Sequence, residues 1–426
     1  MFVDPVNALF ESMSGITTTG ATVIRDFETH SRALLIWRQI LQWLGGLGIL
    51  LLATAVLSRL SVAGAQLMES ETREHSMTKL TPRIGETAKI IVGLYIGLTA
   101  VATVVLLVLG LSGIAPGMTP YDAFAHALTA IATAGFSPRA ESIAAFTPIV
   151  HWVIVLFMIL GATNFALLYA LVQGDYRRFA ASEEFWAYIG VLGGGSLLMT
   201  VLLVTDGGYN TGLLTTVRDS VFQITSIVTT TGYATADFDT WSAAAKHVLF
   251  VGMFVGGMAG STTCSIKALR WLIVAKSFRR DLLVAGHVDL VKPVRFSGEV
   301  VDEETIRDVY AYTLVALVIF LLSTVVIVSN GARANQPLTE FEALTAAAST
   351  FFNIGPAFGR AVRDLRGIRS LLETADDRAD VDRTHRNYPG AGAVDALVLA
   401  SMSRTVTGGL VSTARVSRRH LTNGRA

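Results

Sequence analysis

One cysteine, Cys264, in 426 residues leaves no intrachain disulfide and no cysteine-built metal site. Charge is scarce too. Only 16% of residues are Asp, Glu, Lys or Arg and 52% are hydrophobic, where a soluble domain carries about 25% charge, so most of this chain must face lipid or other apolar helices. The formal net charge of +1 provides no overall field to recruit nucleic acid, which excludes that partner. The first ten residues lack the basic and apolar regions of a secretory leader. No nucleotide-binding motif occurs. No His–acid pair accompanies Cys264, and the remaining polar residues form no metal or acid–base cluster, so an enzyme is not expected.

What is present is hydrophobic length. Crossing a bilayer takes roughly 20 residues, and six apolar segments reach or approach that: 33–57, 88–111, 148–172, 185–204, 246–274 and 309–329. The connection after the first holds Arg59, Arg73, Lys79, Arg83 and Lys89; those after the third and fifth hold Arg177 and Arg178, then Lys276, Arg279, Arg280, Lys292 and Arg295. The connections between these hold few: Arg139, Arg218, Arg333 and Arg360. By the positive-inside rule the basic group is cytoplasmic.

The sparsely charged connections share one device. SGITTTGAT at 14–22, TAIATAGFS at 129–137, TSIVTTTGY at 225–233 and STFFNIGPA at 349–357 each run from a helix-compatible stretch through a small or polar triplet to a glycine. Gly20, Gly135, Gly232 and Gly355 lie 115, 97 and 123 residues apart, a spacing of large repeated units rather than a short solenoid. An amphipathic dozen precedes the later copies, at 121–132, 215–228 and 340–351. The layout predicts span, re-entrant pore helix, loop, span, because non-helical backbone at membrane depth is tolerated only where it lines a watery cavity or is buried in protein. Such loops suit a narrow cation filter, with backbone carbonyls and Thr hydroxyls as ligands and Gly supplying the turn. Pore helices would present their negative C-terminal ends to the ion. Ordinary helix C-caps with Gly at the cap are the alternative for any single copy.

The fifth apolar segment is interrupted at 256–265 by GGMAGSTTCS, followed by Lys267 and Arg270. This reads as an unwound stretch beneath the loops or as a small-residue helix seam. Elsewhere, Arg38 is expected to snorkel to the interface. Asn164 lines a vestibule or bonds a neighbouring helix, Asp122 and His126 pack or meet water on one face of the second pore helix, and His151 starts a span at the interface.

These stretches, with WRQILQWLGGLGILLL at 37–52 and GGMAGSTTCSIKALR at 256–270, resemble the Trk/Ktr/HKT cation-transporter superfamily, most closely the bacterial TrkH-type potassium-uptake subunit, over about residues 6–359. The resemblance implies an all-α integral membrane protein of pseudo-fourfold repeats, with a voltage-gated-like ion channel architecture, in the bacterial inner membrane. It implies a K⁺ filter formed by Thr18, Thr19, Gly20, Thr133, Ala134, Gly135, Thr230, Thr231, Gly232, Asn353, Ile354 and Gly355. A gating loop would comprise Gly256, Gly257, Gly260, Ser261, Thr262 and Lys267. Glycine in all four loops is the pattern associated with K⁺; a Ser in the first would imply Na⁺. Asn353, Ile354 and Pro356 depart from a Thr-rich filter. The resemblance also implies a homodimer and a cytoplasmic TrkA-type nucleotide-binding regulator docked on the basic inner loops. No cofactor is implied beyond the transported K⁺, and coupling to H⁺, to Na⁺ or to neither stays open.

The expected units are residues 1–60, a first repeat without its leading span; 84–175; 184–282, with the gating loop; 305–360, without its closing span; and a polar tail, 361–426. Read one base out of frame with permitted codons, residues 373–400 can encode an apolar run, so a frameshifted tail is expected, with a true, solvated cytoplasmic tail as the alternative. A truncated, non-conducting transporter and a Na⁺-permeable one are the alternatives to K⁺ uptake.

Overall fold

Lipid offers no hydrogen bonds, so apolar runs must close their backbone bonds within themselves, as helices. The structure, a computed structural model, describes residues 5–24, 26–59, 84–206, 209, 211–286, 292–333 and 338–359. In chain order the helices are α1 (Pro5–Ile16), α2 (Arg32–Arg59), α3 (Ile84–Leu111), α4 (Pro120–Ile131), α5 (Pro148–Gly161), α6 (Phe165–Val172) and α7 (Tyr176–Ala181). There follow α8 (Glu183–Thr205), α9 (Leu213–Val228), α10 (Ala243–Gly252), α11 (Ala268–Gly286), α12 (Glu303–Arg333) and α13 (Glu340–Phe351). Strands are confined to two-residue ladders: β1 (Val255–Gly256) with β2 (Ile266–Lys267), and β3 (Arg295–Phe296) with β4 (Glu299–Val300).

Among the described residues α2, α3, α8 and α12 contain stretches long and apolar enough to cross a membrane. The short helices begin with deliberate caps. Thr119 accepts from the Asp122 amide ahead of Pro120 in α4, and Thr339 forms a reciprocal capping box with Glu342 at α13. Two apolar cores flank the short helices. In one, the buried Tyr95 donates to the Trp43 carbonyl (2.9 Å) and packs against the Trp43 and Phe165 rings. In the other, Phe254 meets Phe250, Phe320 and Phe352 at centroid distances of 5.3, 5.2 and 4.9 Å, within the range of favourable aromatic pairs.

The segment expected as one span at 148–172 is two helices, α5 and α6, meeting at a 105° bend. Hydropathy continues across the bend, but Asn164 does not continue the helix. Its Oδ1 accepts from the Ala166 (2.8 Å) and Leu167 (3.2 Å) amides and restarts the chain as an N-cap. So Asn164 bonds its own chain. The fifth segment is broken as well: α10 ends at Gly252, β1 and β2 pair in parallel, and α11 resumes at Ala268.

Arg38 does not snorkel. It is 3% exposed, ion-paired with the equally buried Glu11 (2.5 Å), and its guanidinium lies 3.9 Å from the Phe136 ring centroid. The bilayer alternative is costlier than a paired burial, so the charge stays inside. His151, in the first turn of α5, is buried in protein and bonds the Phe146 carbonyl through Nε2. Asp122 and His126 pack: Arg139 grips the Asp122 carboxylate with Nε and Nη2, and His126 Nε2 lies 3.0 Å from Ser137 Oγ. Burial alone would raise the Asp122 carboxyl, but the Arg139 and Thr119 hydrogen bonds more than reverse it and hold it below the usual carboxylate range. The expected tail at 361–426 and the basic residues Arg73, Lys79, Arg83 and Arg360 lie outside the described residues.

Candidate functional site: a ring of four helix ends

Four short helices, α1, α4, α9 and α13, deliver the four glycine loops, and each ends the same way. The amide of the residue before the glycine reaches back five positions: Thr19 to Ser14 (3.0 Å), Ala134 to Thr129 (3.0 Å), Thr231 to Ser226 (2.9 Å) and Ile354 to Ser349 (2.8 Å). Amides one residue earlier reach back three, completing the bond pair of a Schellman cap. Such caps put a left-handed residue at the end, normally glycine. Here the left-handed residues are Thr18 (φ 61°), Thr133 (48°), Thr230 (52°) and Asn353 (53°), two positions before the glycine. Each costs roughly 1–3 kcal/mol and persists because its surroundings over-determine it. The loops are therefore helix C-caps and more: a second reversal follows at Gly20, Gly135, Gly232 and Gly355, all at positive φ.

The glycines close the ring. A Cβ placed on Gly20 would lie 2.3 Å from the Ala134 carbonyl oxygen; on Gly135, 1.8 Å from that of Thr231; on Gly232, 2.1 Å from that of Ile354; and on Gly355, 2.8 Å from that of Thr19. Each loop thus abuts the next, and the fourth returns to the first. All twelve residues expected in this site are brought together. The helix C-termini, with their partial negative charge, all run into the ring.

Behind the ring, hydroxyls hold the backbone. Ser14 donates to the Ala21 carbonyl (2.5 Å), Thr129 to that of Phe136 (3.2 Å) and Ser226 to that of Tyr233 (2.6 Å). In the fourth loop Pro356 stands at the matching place, and the buried Ser349 Oγ has no hydrogen-bond partner among the described residues. A second tie joins the first two helices to the residue two past the glycine: Glu11 to Thr22 (2.8 Å) and His126 to Ser137 (3.0 Å). At the corresponding place in the third loop Ala234 leaves the buried Gln223 amide without a hydrogen-bond partner among the described residues, and in the fourth two alanines, Ala346 and Ala357, pack together. Five ring threonines, Thr18, Thr19, Thr133, Thr230 and Thr231, all have protein partners for their hydroxyls.

The loop at 253–267 lies against the left-handed residues of all four copies. Thr262 Oγ1 is 3.0 Å from Thr133 Oγ1, the Cys264 amide donates to Thr230 Oγ1 (3.0 Å), and Cys264 Sγ lies 3.5 Å from Asn353 Nδ2 and 3.9 Å from Thr18 Oγ1. This loop also locks into the α5–α6 bend. Met258 and Thr262 amides donate to the carbonyls of Ala162 (3.0 Å) and Gly161 (3.3 Å), and the Phe165 amide donates to Gly260 (3.1 Å). A Cβ on Gly257 would meet the Ala162 oxygen at 2.7 Å, so the seat admits only glycine. Buried Glu184 accepts from the Ala259 amide (2.6 Å). Lys267 Nζ donates to the Thr263 carbonyl, to Thr263 Oγ1 (2.9 Å) and to Ser261 Oγ (3.4 Å). Of the expected loop residues, Gly256 pairs in β1, and Gly257, Gly260, Ser261, Thr262 and Lys267 all take part in this seat or its internal bonds.

A family model described as a cation transport protein, TrkH, matches residues 3–209 and 209–371. The chain belongs to the TrkH family. It is 32% identical over 356 residues to the Trk system potassium uptake protein TrkH of Escherichia coli K12, covering 83% of this chain and 71% of that relative. To the Trk system potassium uptake protein TrkI of Halomonas elongata it is 34% identical over 371 residues, 87% and 72% of the two chains. The crystal structure of the potassium transporter TrkH from Vibrio parahaemolyticus superposes with a TM-score of 0.76 at 28% identity, covering 95% of this chain and 76% of that one. This TrkH-family member is a helical, multi-pass protein of the inner membrane and not an enzyme.

The four glycine loops and the stretch at 256–267 are visible in the sequence, but the contacts that hold them are not. The Glu11–Arg38 pair was hidden because its members sit 27 residues apart on different helices. Gln42, which bonds the second loop, gave no signal beyond its polarity inside an apolar run.

Proposed function

We propose that this chain conducts K⁺ across the membrane for uptake, with the four-loop ring as its selectivity filter and the loop at 253–267 as its gate. What supports the filter is the closed, fourfold succession of helix C-termini and glycines, each abutting the next loop's carbonyl. The filter residues are Thr18, Thr19 and Gly20; Thr133, Ala134 and Gly135; Thr230, Thr231 and Gly232; Asn353, Ile354 and Gly355. Their hydroxyls are engaged by protein, which leaves backbone carbonyls to replace the hydration shell of K⁺. Glycine in all four loops favours K⁺ over Na⁺. The repeats run over 1–60, 84–175, 184–282 and 305–360. A second copy of the chain and a TrkA-type nucleotide-binding ring, docked on the basic side near Lys276 and Arg280, complete the assembly.

The test is growth of a potassium-uptake-deficient strain at low K⁺. Expression of this chain should restore growth, and purified protein in liposomes should carry K⁺ or Rb⁺ in preference to Na⁺. No rescue from well-inserted protein would sink the proposal. The gate makes a separate prediction. Lys267→Met removes an ammonium that ties Ser261 and Thr263, and hydrogen bonds to a charged group contribute about 1.5–3 kcal/mol. Liposome K⁺ flux without regulator is expected to rise about tenfold; unchanged flux would separate Lys267 from gating.

A further inference from the structure

Each filter loop is held by its own pore helix, but the second loop is also held from outside its repeat directly beside its glycine. Gln42 lies on α2 and is fully buried. Its Nε2 donates to the Ala134 carbonyl at 2.6 Å, and its Oε1 accepts from the Phe136 amide at 3.0 Å. Those two backbone groups flank Gly135. One side-chain amide therefore brackets the glycine as a neighbouring strand would, using both its donor and its acceptor. The Ala134 oxygen is also the atom that abuts Gly20, so the same bond fixes where the first loop meets the second.

Loops three and four are held differently on their outer sides. In the third, the Ala234 carbonyl accepts from the Ala144 amide and its amide bonds Ser142 Oγ, two residues past the glycine rather than beside it. In the fourth, the Phe358 amide bonds Thr345 and the Gly359 amide bonds Asp239, farther still. Among the described residues the second loop is the one whose pre-glycine carbonyl is taken by a side chain from another repeat.

We propose that Gln42 is a specificity-determining positioning residue: it sets the radial position of the second filter loop, and with it the K⁺ over Na⁺ discrimination of the whole ring. The proposal rests on the filter reading above. A carbonyl donated to by a neutral amide is fixed in direction, and a ring with one quarter free to relax inward accommodates the smaller Na⁺. Gln42 need not touch the ion.

The test uses the full chain in liposomes, with K⁺/Na⁺ permeability ratio, apparent K⁺ affinity and maximal flux per inserted protein. Gln42→Met keeps the volume and removes both bonds. Gln42→Glu keeps the acceptor for Phe136 but sets a carboxylate against the Ala134 oxygen. Both are expected to lower the permeability ratio about tenfold and to raise the apparent K⁺ half-saturation, with maximal flux within about threefold of wild type, since the lost interactions orient a ligand rather than build the conduit. Glutamate should be at least as damaging as methionine.

A ratio within twofold of wild type in both variants would overturn the assignment, as would failure of both to insert, which would make Gln42 a folding residue. Gly135→Ser in parallel separates the two layers. If it changes selectivity while Gln42 variants do not, the filter stands and this inference falls; if wild-type protein does not discriminate K⁺, the filter reading itself fails.

Discussion

Gly135→Ser is expected to remove K⁺ selectivity more completely than the same change at any other filter glycine. Two costs combine there. The residue sits at φ 78°, a conformation that costs a side-chain-bearing residue roughly 1–3 kcal/mol. Its new Cβ would also fall 1.8 Å from the Thr231 oxygen, a backbone atom that can retreat only by moving the third loop. The substitution therefore shifts two of the four loops at once. The ring predicts an order, since the corresponding clearances are 2.1 Å at Gly232, 2.3 Å at Gly20 and 2.8 Å at Gly355. Loss of K⁺/Na⁺ discrimination should follow it, with Gly135→Ser at about a hundredfold, the scale of ~2.7 kcal/mol, and Gly355→Ser mildest. Gly232→Ser should weaken discrimination between these limits. Permeability ratios from liposome flux would decide; equal effects at all four positions would show that the ring relaxes as a body.

The second large effect is on stability. Arg38→Leu leaves Glu11 buried with its charge uncompensated, and breaking a buried pair by removing one partner costs about 3–5 kcal/mol. Glu11 is no isolated acid. Its Oε2 accepts from the Val23 amide (3.0 Å) and its Oε1 from Thr22 and Arg38 Nε (2.7 Å), so the pair anchors the exit of the first glycine loop to α1. Thermal unfolding in detergent should show a steep loss for Arg38→Leu. The double variant Glu11→Gln with Arg38→Met should recover most of it, because replacing both ions removes the desolvation penalty. A single variant losing less than about 1 kcal/mol would mean that water or a counter-ion reaches the site.

These two positions also show what the sequence made legible. The four loops announced themselves because their chemistry is local: small or hydroxylated residues, a glycine, and a helix-compatible run, all within nine residues. The helices expected at 121–132, 215–228 and 340–351 fall within two residues of α4, α9 and α13 for the same reason. Breaks in the apolar segments were legible only where small residues gathered, as at Gly256 and Gly257. The bend after Gly161 was not, because a hydropathy pattern cannot tell a continuous helix from two that meet at an angle. Its one local sign was Asn164, whose capping bonds are made within three residues.

Contacts across the chain were beyond pattern reading altogether. Nothing near Arg38 specifies Glu11, and nothing near Gln42 specifies Ala134, 92 residues on. The left-handed threonines were invisible for another reason. Propensity assigns that conformation to glycine and asparagine, and only tertiary contacts, such as Thr133 with Thr262 and Thr230 with Cys264, hold a threonine there.

The joint between the fourth loop and the first has a consequence for how this protein is made. Thr19 and Asn353 meet at 2.8 Å although 334 residues separate them. A membrane protein is inserted from its N-terminus as it is synthesised, and contacts so distant in sequence form last. The ring of four loops cannot close until residue 353 leaves the ribosome, by which time the loop at 253–267, which packs against all four, has already been made.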